Sequence, residues 1–202
     1  MNLCFDLDDV IANTYPQIIK AALVFHIDIL RREDIANDLD IIHAEGDYFW
    51  FAKVLAWSEK ELELFFHTKY PYFLNLCIPI KESVDFLNNM HKKNHNITIL
   101  SSRETRDYAD VQKITEQWLS DNGVYFDKVL LGYKNKYEYL KQNNIQLFVD
   151  DNIDNCKDAK KAGVSFVFCY ISDYNLKGRN ESSDGIIPIA GLSDVNQYID
   201  LL

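Results

Sequence analysis

Short apolar runs that close on polar residues recur along the chain: NLCFDL (2–7), ITIL (97–100), KVLL (128–131), QLFV (146–149) and SFVFCY (165–170). Their length and unbroken hydrophobicity predict strands buried on both faces. Between them apolar positions fall at helical spacing, over 82–92 with Val84, Phe86, Leu87 and Met90, over 108–119 with Val111, Ile114 and Trp118, over 137–142, and over 153–162 with Gly163 as the stop. Strand and helix alternate from about residue 80 onward, which predicts an α/β fold with a Rossmann-like parallel sheet and helices on both faces. Residues 14–79 break the pattern, with helical periodicity near 15–31, 46–57 and 58–67, no strand of their own, and KYPYF (69–73) as a return linker. The predicted organisation is a core of residues 1–13 and 80–202 with a small helical cap, residues 14–79, inserted after the first strand. A polar, turn-rich stretch at 177–188 and a short helix near 193–201 close the chain.

Composition narrows the function more than the fold. With 202 residues, 48% hydrophobic, 26% charged and only 7 Gly and 4 Pro, the chain has the makings of one folded core with an insert. Its 21 basic and 31 acidic residues sum to −10, a field that repels polyanions and argues against a nucleic acid polymer or an anionic membrane as partner. A small phosphorylated metabolite stays compatible, because a metal ion and local lysines reverse the sign inside one cleft. No stretch has the apolar length to span a bilayer, and Asp6 and Asp8 arrive before any leader pattern develops, so a cytoplasmic location is expected. The four cysteines, Cys4, Cys77, Cys156 and Cys169, lack CxxC spacing and read as buried thiols.

In a parallel sheet the carboxyl ends of the strands share one edge, where ligands bind. Asp6-Leu7-Asp8-Asp9 follow the first run, Ser101-Ser102-Arg103 follow ITIL, Asp150-Asp151-Asn152 follow QLFV, and Lys136 opens the helix feeding the last of these. Each type has a task in phosphoryl transfer. A carboxylate attacks phosphorus to form an aspartyl-phosphate, and a second one protonates the leaving oxygen and then deprotonates water. Asp6, Asp150 and a phosphate dianion repel one another unless a hard cation such as Mg²⁺ lies between them. Ser101 and Lys136 then stabilise the equatorial oxygens.

These motifs resemble those of the haloacid-dehalogenase superfamily of aspartate-nucleophile phosphatases. FDLDDV is similar to its first motif, ILSS to its second, KYEYL to its lysine motif and FVDDN to its acidic fourth motif, in that order. The resemblance implies a phosphoric monoester hydrolase with Asp6 as nucleophile and Asp8 as acid and base. Ser101, Ser102 and Lys136 would be phosphate ligands, and Asp6, Asp8, Asp150 and Asp151 the acids around Mg²⁺. A narrower likeness, carried by Ser101-Ser102-Arg103, PIKESVDFLNNM and WLSDNG, is to the 5'(3')-deoxyribonucleotidase branch, which implies nucleoside monophosphate substrates. The alternatives are a phosphatase for sugar phosphates or other small metabolites, and a non-catalytic module that only binds a phosphorylated ligand.

Several residues carry a plainer reading beside the chemical one. Asp9 suits a turn, Asp151, Asn152 and Asp154 suit helix N-caps, and Lys134 competes with Lys136. His91 and His95 suit a solvated helix end. The aromatics Tyr48, Phe49, Trp50, Phe51, Trp57, Phe65 and Phe66 suit a core for the cap, with one or two facing the cleft. Arg103 would meet either a substrate phosphate or a nearby acid. No glycine spacing makes a Walker A loop or a GxGxxG turn.

Overall fold

The computed structural model of the chain describes residues 1–33, 50–104, 110–172, 175 and 185–199. The chain begins with β1 (Asn2–Phe5), turns, and forms the two-residue strand β2 (Ala12–Asn13). Helices α1 (Tyr15–Asp28), α2 (Trp50–Val54) and α3 (Glu59–Asn75) follow, and β3 (Ile78–Pro79) returns antiparallel to β2. Then come α4 (Lys81–Lys92), β4 (Asn96–Leu100), α5 (Val111–Asp121), β5 (Lys128–Leu130), α6 (Tyr137–Gln142), β6 (Leu147–Asp150), α7 (Ile153–Lys161) and β7 (Phe166–Tyr170). Strand β8 (Ile186–Ile189), a 3-10 turn at Leu192–Val195 and α8 (Asn196–Ile199) end the described chain.

Six strands pair in the order β5-β4-β1-β6-β7-β8, every neighbour parallel. The sheet therefore grows in opposite directions on the two sides of β1, and the crevice at the carboxyl ends of β1 and β6 is where such sheets bind ligands. Side chains alternate between the faces as period-two strands require. Leu3 and Phe5 join Ile97, Ile99 and Val149 under α4 and α5, whereas Cys4 joins Phe148, Leu140 and Ile153 under α6 and α7. All four cysteines are buried free thiols. Among the described residues no helix is long and apolar enough to cross a membrane.

The helices between β2 and β3 have a hydrophobic cluster of their own, with Phe25, Phe51, Phe65 and Phe73 at its centre and Val111 of α5 reaching into it. Ser58 caps α3 in a reciprocal capping box with Glu61.

Three details depart from the sequence reading. KYPYF is no linker, because α3 runs through Pro71 to Asn75. Proline removes one helical hydrogen bond, but Tyr70, Phe73 and Leu74 bury here and that packing outweighs the loss. The polar tail hides β8, an edge strand in which Pro188 is tolerated because a ladder is made on one side only. Two short strands, β2 and β3, border the helical insert where none was expected. The predicted helical residues 46–49 and most of the polar stretch 177–188 lie outside the described residues.

Pro71→Ala restores a backbone donor inside α3 and should raise the unfolding free energy by about 1–3 kcal/mol in urea denaturation. A lowered midpoint would mean that the proline ring itself packs the insert.

Candidate active site

Register and alternation explain how the acids meet. Phe5 lies opposite Val149 across β1 and β6, so the next pair is Asp6 and Asp150, and the Asp6 amide donates to the Val149 carbonyl at 2.8 Å. Both share the face of Cys4 and Phe148, the side on which α6 begins. Lys136 stands at the start of α6 and drops its side chain into this gap. Its Nζ donates to Asp6 Oδ1 at 2.5 Å and to Asp150 Oδ2 at 2.6 Å, with the Phe148 ring 5.8 Å away. Asp150 is fully buried and also accepts from the Asn152 amide at 2.9 Å and from Asn155 Nδ2 at 3.1 Å. Asn152, rather than Asp151 or Asp154, caps α7 by accepting from the Asp154 amide.

Asp6, Asp150 and Asp151 each bring a carboxylate oxygen within 4.8 Å of the others. Burial, then the negative charge of Asp150 and Asp8, pushes the Asp6 carboxyl up to about 7 against the pull of Lys136. Burial and the Asp150 and Asp6 charges raise Asp151 well above the carboxylate range. Burial opposes the charge on Lys136, but Asp150 and Asp6 overturn that and hold it as ammonium. One ammonium thus faces three acids, an all-oxygen set short of positive charge. A hard divalent cation fits such a set in donor type and in sign.

Asp8 has different surroundings. Its carboxylate, expected with the metal acids, is turned instead to Arg103, whose Nε lies 3.1 and 3.0 Å from Oδ1 and Oδ2 and whose Nη2 lies 2.7 Å from Oδ1. The Thr14 hydroxyl donates to Oδ1 at 2.6 Å and Ser101 to Oδ2 at 3.3 Å. Burial works against the anion, yet Arg103 and the two hydroxyls hold the carboxyl below its usual range. Ser101, expected on the phosphate, is completely buried behind Asp8, and Ser102 lies on the cleft wall. Asp9 takes the turn role, with φ 60° and Oδ1 accepting from the Thr14 and Tyr15 amides at 2.9 Å. Lys134 pairs with Glu104 at 3.2 Å, away from the acids.

A cleft of about 630 Å³ opens above Asp6, Asp8, Lys136, Asp150 and Asp151. Its opposite wall is apolar, formed by Ile18 of α1 and by Phe66, Tyr70, Phe73 and Leu74 of α3. Phe51 and Phe65 are buried in the insert's own cluster with Trp57 packed against it, and Tyr48 and Phe49 lie outside the described residues. Tyr70 and Phe73 escaped the sequence reading because a proline between them suggested a linker. Nothing in the sequence signals Thr14 or Asn155 as partners of the acids. His91 stacks on Tyr125, far from this chemistry.

In metal-free buffer the raised Asp6 carboxyl keeps its proton longer in the folded than in the unfolded chain, so it removes stability as pH rises from about 4 to about 7. The loss should approach about 1.4 kcal/mol per pH unit in that window. Denaturation of wild type and Asp6→Asn in EDTA measures it. Parallel pH profiles for the two proteins would contradict the raised value.

No family model matches the chain. A nucleotidase of Clostridium acetobutylicum is 25% identical over 206 residues, covering 100% of this chain and 95% of its own. Solved structures match over the whole length at lower identity. A Clostridium difficile protein described as a candidate phosphatase has a TM-score of 0.73 at 16% identity, covering 98% of this chain and 97% of its own. A Streptococcus pneumoniae haloacid dehalogenase-like hydrolase gives 0.69 at 11%, with coverage of 98% and 97%. Bacillus subtilis YfnB, described as bound to magnesium, gives 0.62 at 14%, with coverage of 98% of each chain. In strand order and in this whole-length likeness, the chain has the haloacid-dehalogenase-like hydrolase fold and resembles that superfamily's phosphatases.

Proposed function

We propose that the protein is a Mg²⁺-dependent phosphomonoesterase acting on nucleoside monophosphates through an aspartyl-phosphate at Asp6. The observation that carries this reading is the buried set Asp6–Lys136–Asp150 with Asp151, at the floor of a cleft whose other wall is aromatic. The nucleotidase name of the full-length relative supports the substrate class.

Asp6, Asp150 and Asp151 would hold the cation, which supplies the positive charge that lets a phosphate dianion lie against carboxylates. Lys136 binds a phosphate oxygen and, through Asp6 and Asp150, fixes the direction of the nucleophile. Asp6 attacks phosphorus, the ester oxygen leaves with a proton from Asp8, and the phosphoryl group is carried as an acyl phosphate on Asp6. Water then attacks that phosphorus, giving its proton to Asp8, and inorganic phosphate departs. The ionised Asp8 held by Arg103 is the form this second step needs. Donation in the first step needs a proton on it, which a bound phosphate dianion promotes by raising the cost of a neighbouring carboxylate charge. Ser102 borders the phosphate end, and Phe66 and Tyr70 offer faces to a planar base.

A panel of nucleoside monophosphates, sugar phosphates and p-nitrophenyl phosphate, run with EDTA and then with Mg²⁺, tests this reading. Activity should vanish in EDTA, return with Mg²⁺ and be greatest on nucleoside monophosphates; full turnover in EDTA would overturn the role given to the acids. Phe66→Ala should lower kcat/KM for nucleoside monophosphates about tenfold, the loss of one stacking contact of about 1.4 kcal/mol. Hydrolysis of a small alkyl phosphate should change little, and equal losses on both substrates would show that Phe66 only supports the insert.

A further inference from the structure

We infer that Arg103 is the positioning residue of Asp8: it holds the carboxylate at the edge of the cleft, turned away from the Asp6–Asp150–Asp151 cluster, and does not itself grip the substrate phosphate. This rests on the proposed phosphatase reading and adds a role to it. Arg103 borders the cleft but is only 3% exposed, and each of its three guanidinium nitrogens donates to protein. Nε and Nη2 engage Asp8, while Nη1 donates to Thr115 Oγ1 at 3.0 Å. A guanidinium held along both edges has one orientation, so the carboxylate on its other side has one as well. Ser101 reinforces it by accepting from the Arg103 amide at 3.1 Å and donating to Asp8.

The anchor is set at the seam between the sheet and the helical insert. Val111, Thr115 and Trp118 are spaced by four and three residues and share one face of α5. Val111 enters the hydrophobic cluster of the insert, Thr115 holds Arg103, and Trp118 Nε1 donates to the Cys77 carbonyl at 2.9 Å beside β3. Tyr70 of α3 accepts from the Glu104 amide at 3.2 Å, one residue beyond Arg103. The side chain that orients the proton donor is therefore fixed by the helix against which the insert rests. Among the described residues Asp6 has no such tie to α5; it is held by Lys136 from the other face of the sheet.

The test compares Arg103→Gln, Asp8→Asn, the double variant and Thr115→Val in the full chain. If Arg103 acts through Asp8, Arg103→Gln repeats the Asp8→Asn signature. The expected kcat loss is about 10²–10⁴-fold on a nucleoside monophosphate, whose alkoxide needs a proton, and clearly smaller in phosphoenzyme formation from p-nitrophenyl phosphate. The double variant should be no worse than Asp8→Asn alone. Thr115→Val, which keeps every group that faces the cleft, should lower kcat on the nucleotide in the same direction by a smaller factor and leave KM unchanged. Equal losses on both leaving groups, or multiplied losses in the double variant, would overturn the inference.

Calorimetric binding of inorganic phosphate in the presence of Mg²⁺ supplies a readout that needs no turnover. Arg103→Gln alone exposes the Asp8 charge and should weaken binding, whereas the charge-balanced double variant should bind within about threefold of wild type. A double variant that stays tenfold or more weaker would assign Arg103 to the phosphate and overturn the positioning role. A wild type that binds phosphate but hydrolyses no ester would overturn the proposed function separately, with the double variant still deciding what Arg103 holds.

Discussion

The floor of the cleft confines three carboxylates around a single ammonium, and that imbalance constrains the rest of the structure. Lys136 satisfies Asp6 and Asp150 at once, and its aliphatic stem is buried against the sheet. Holding such a set costs free energy unless the partners are delivered accurately, because an unpaired buried charge is strongly destabilising. The sheet delivers them: parallel register puts Asp6 beside Asp150, side-chain alternation puts both on the α6 face, and the start of α6 supplies the cation. The charge still missing is what a divalent ion and a phosphate ester bring together.

A single residue, Leu7, separates Asp6 from Asp8, yet the chain gives them opposite environments. Asp6 is raised by burial and by neighbouring acids, and Asp8 is lowered by a guanidinium and two hydroxyls despite its burial. Pairs of acids whose surroundings push them apart are suited to different roles in one reaction. The turn after β1 produces the difference by directing Asp6 along the sheet and Asp8 back toward Ser101 and Arg103, while Asp9 satisfies the first amides of α1. The insert follows this turn directly, so the wall that meets the far end of a substrate and the loop that holds the proton donor share the same few residues.

Much of this was readable from the chain, for physical reasons that also mark where reading stops. Strands β1, β4, β6 and β7 are buried on both faces, and continuous apolar runs betray them. Strand β8 lies at an edge and contains Pro188, and β2 and β3 are two residues long, so none leaves a periodic signature. Pro71 suggested a break in α3, a local preference that the burial of Tyr70 and Phe73 overrides. Asp6, Asp150 and Lys136 were legible because strand ends and one helix start fix their position. The partner of Arg103 was not, since the choice between a phosphate and an acid depends on where Asp8 and Thr115 lie in space. The cap aromatics divided between core and cleft by helix face, which composition alone does not reveal.

The proposed mechanism turns on Asp6 as the carrier of the phosphoryl group. Rapid acid quenching during turnover of a nucleoside monophosphate with Mg²⁺, followed by digestion and mass spectrometry, measures this directly. The predicted result is one phosphoryl group, localised to Asp6 in the peptide that contains it, absent in Asp6→Asn and accumulating in Asp8→Asn. A phosphoryl group on any other residue, or turnover with none on Asp6 even in Asp8→Asn, would contradict it.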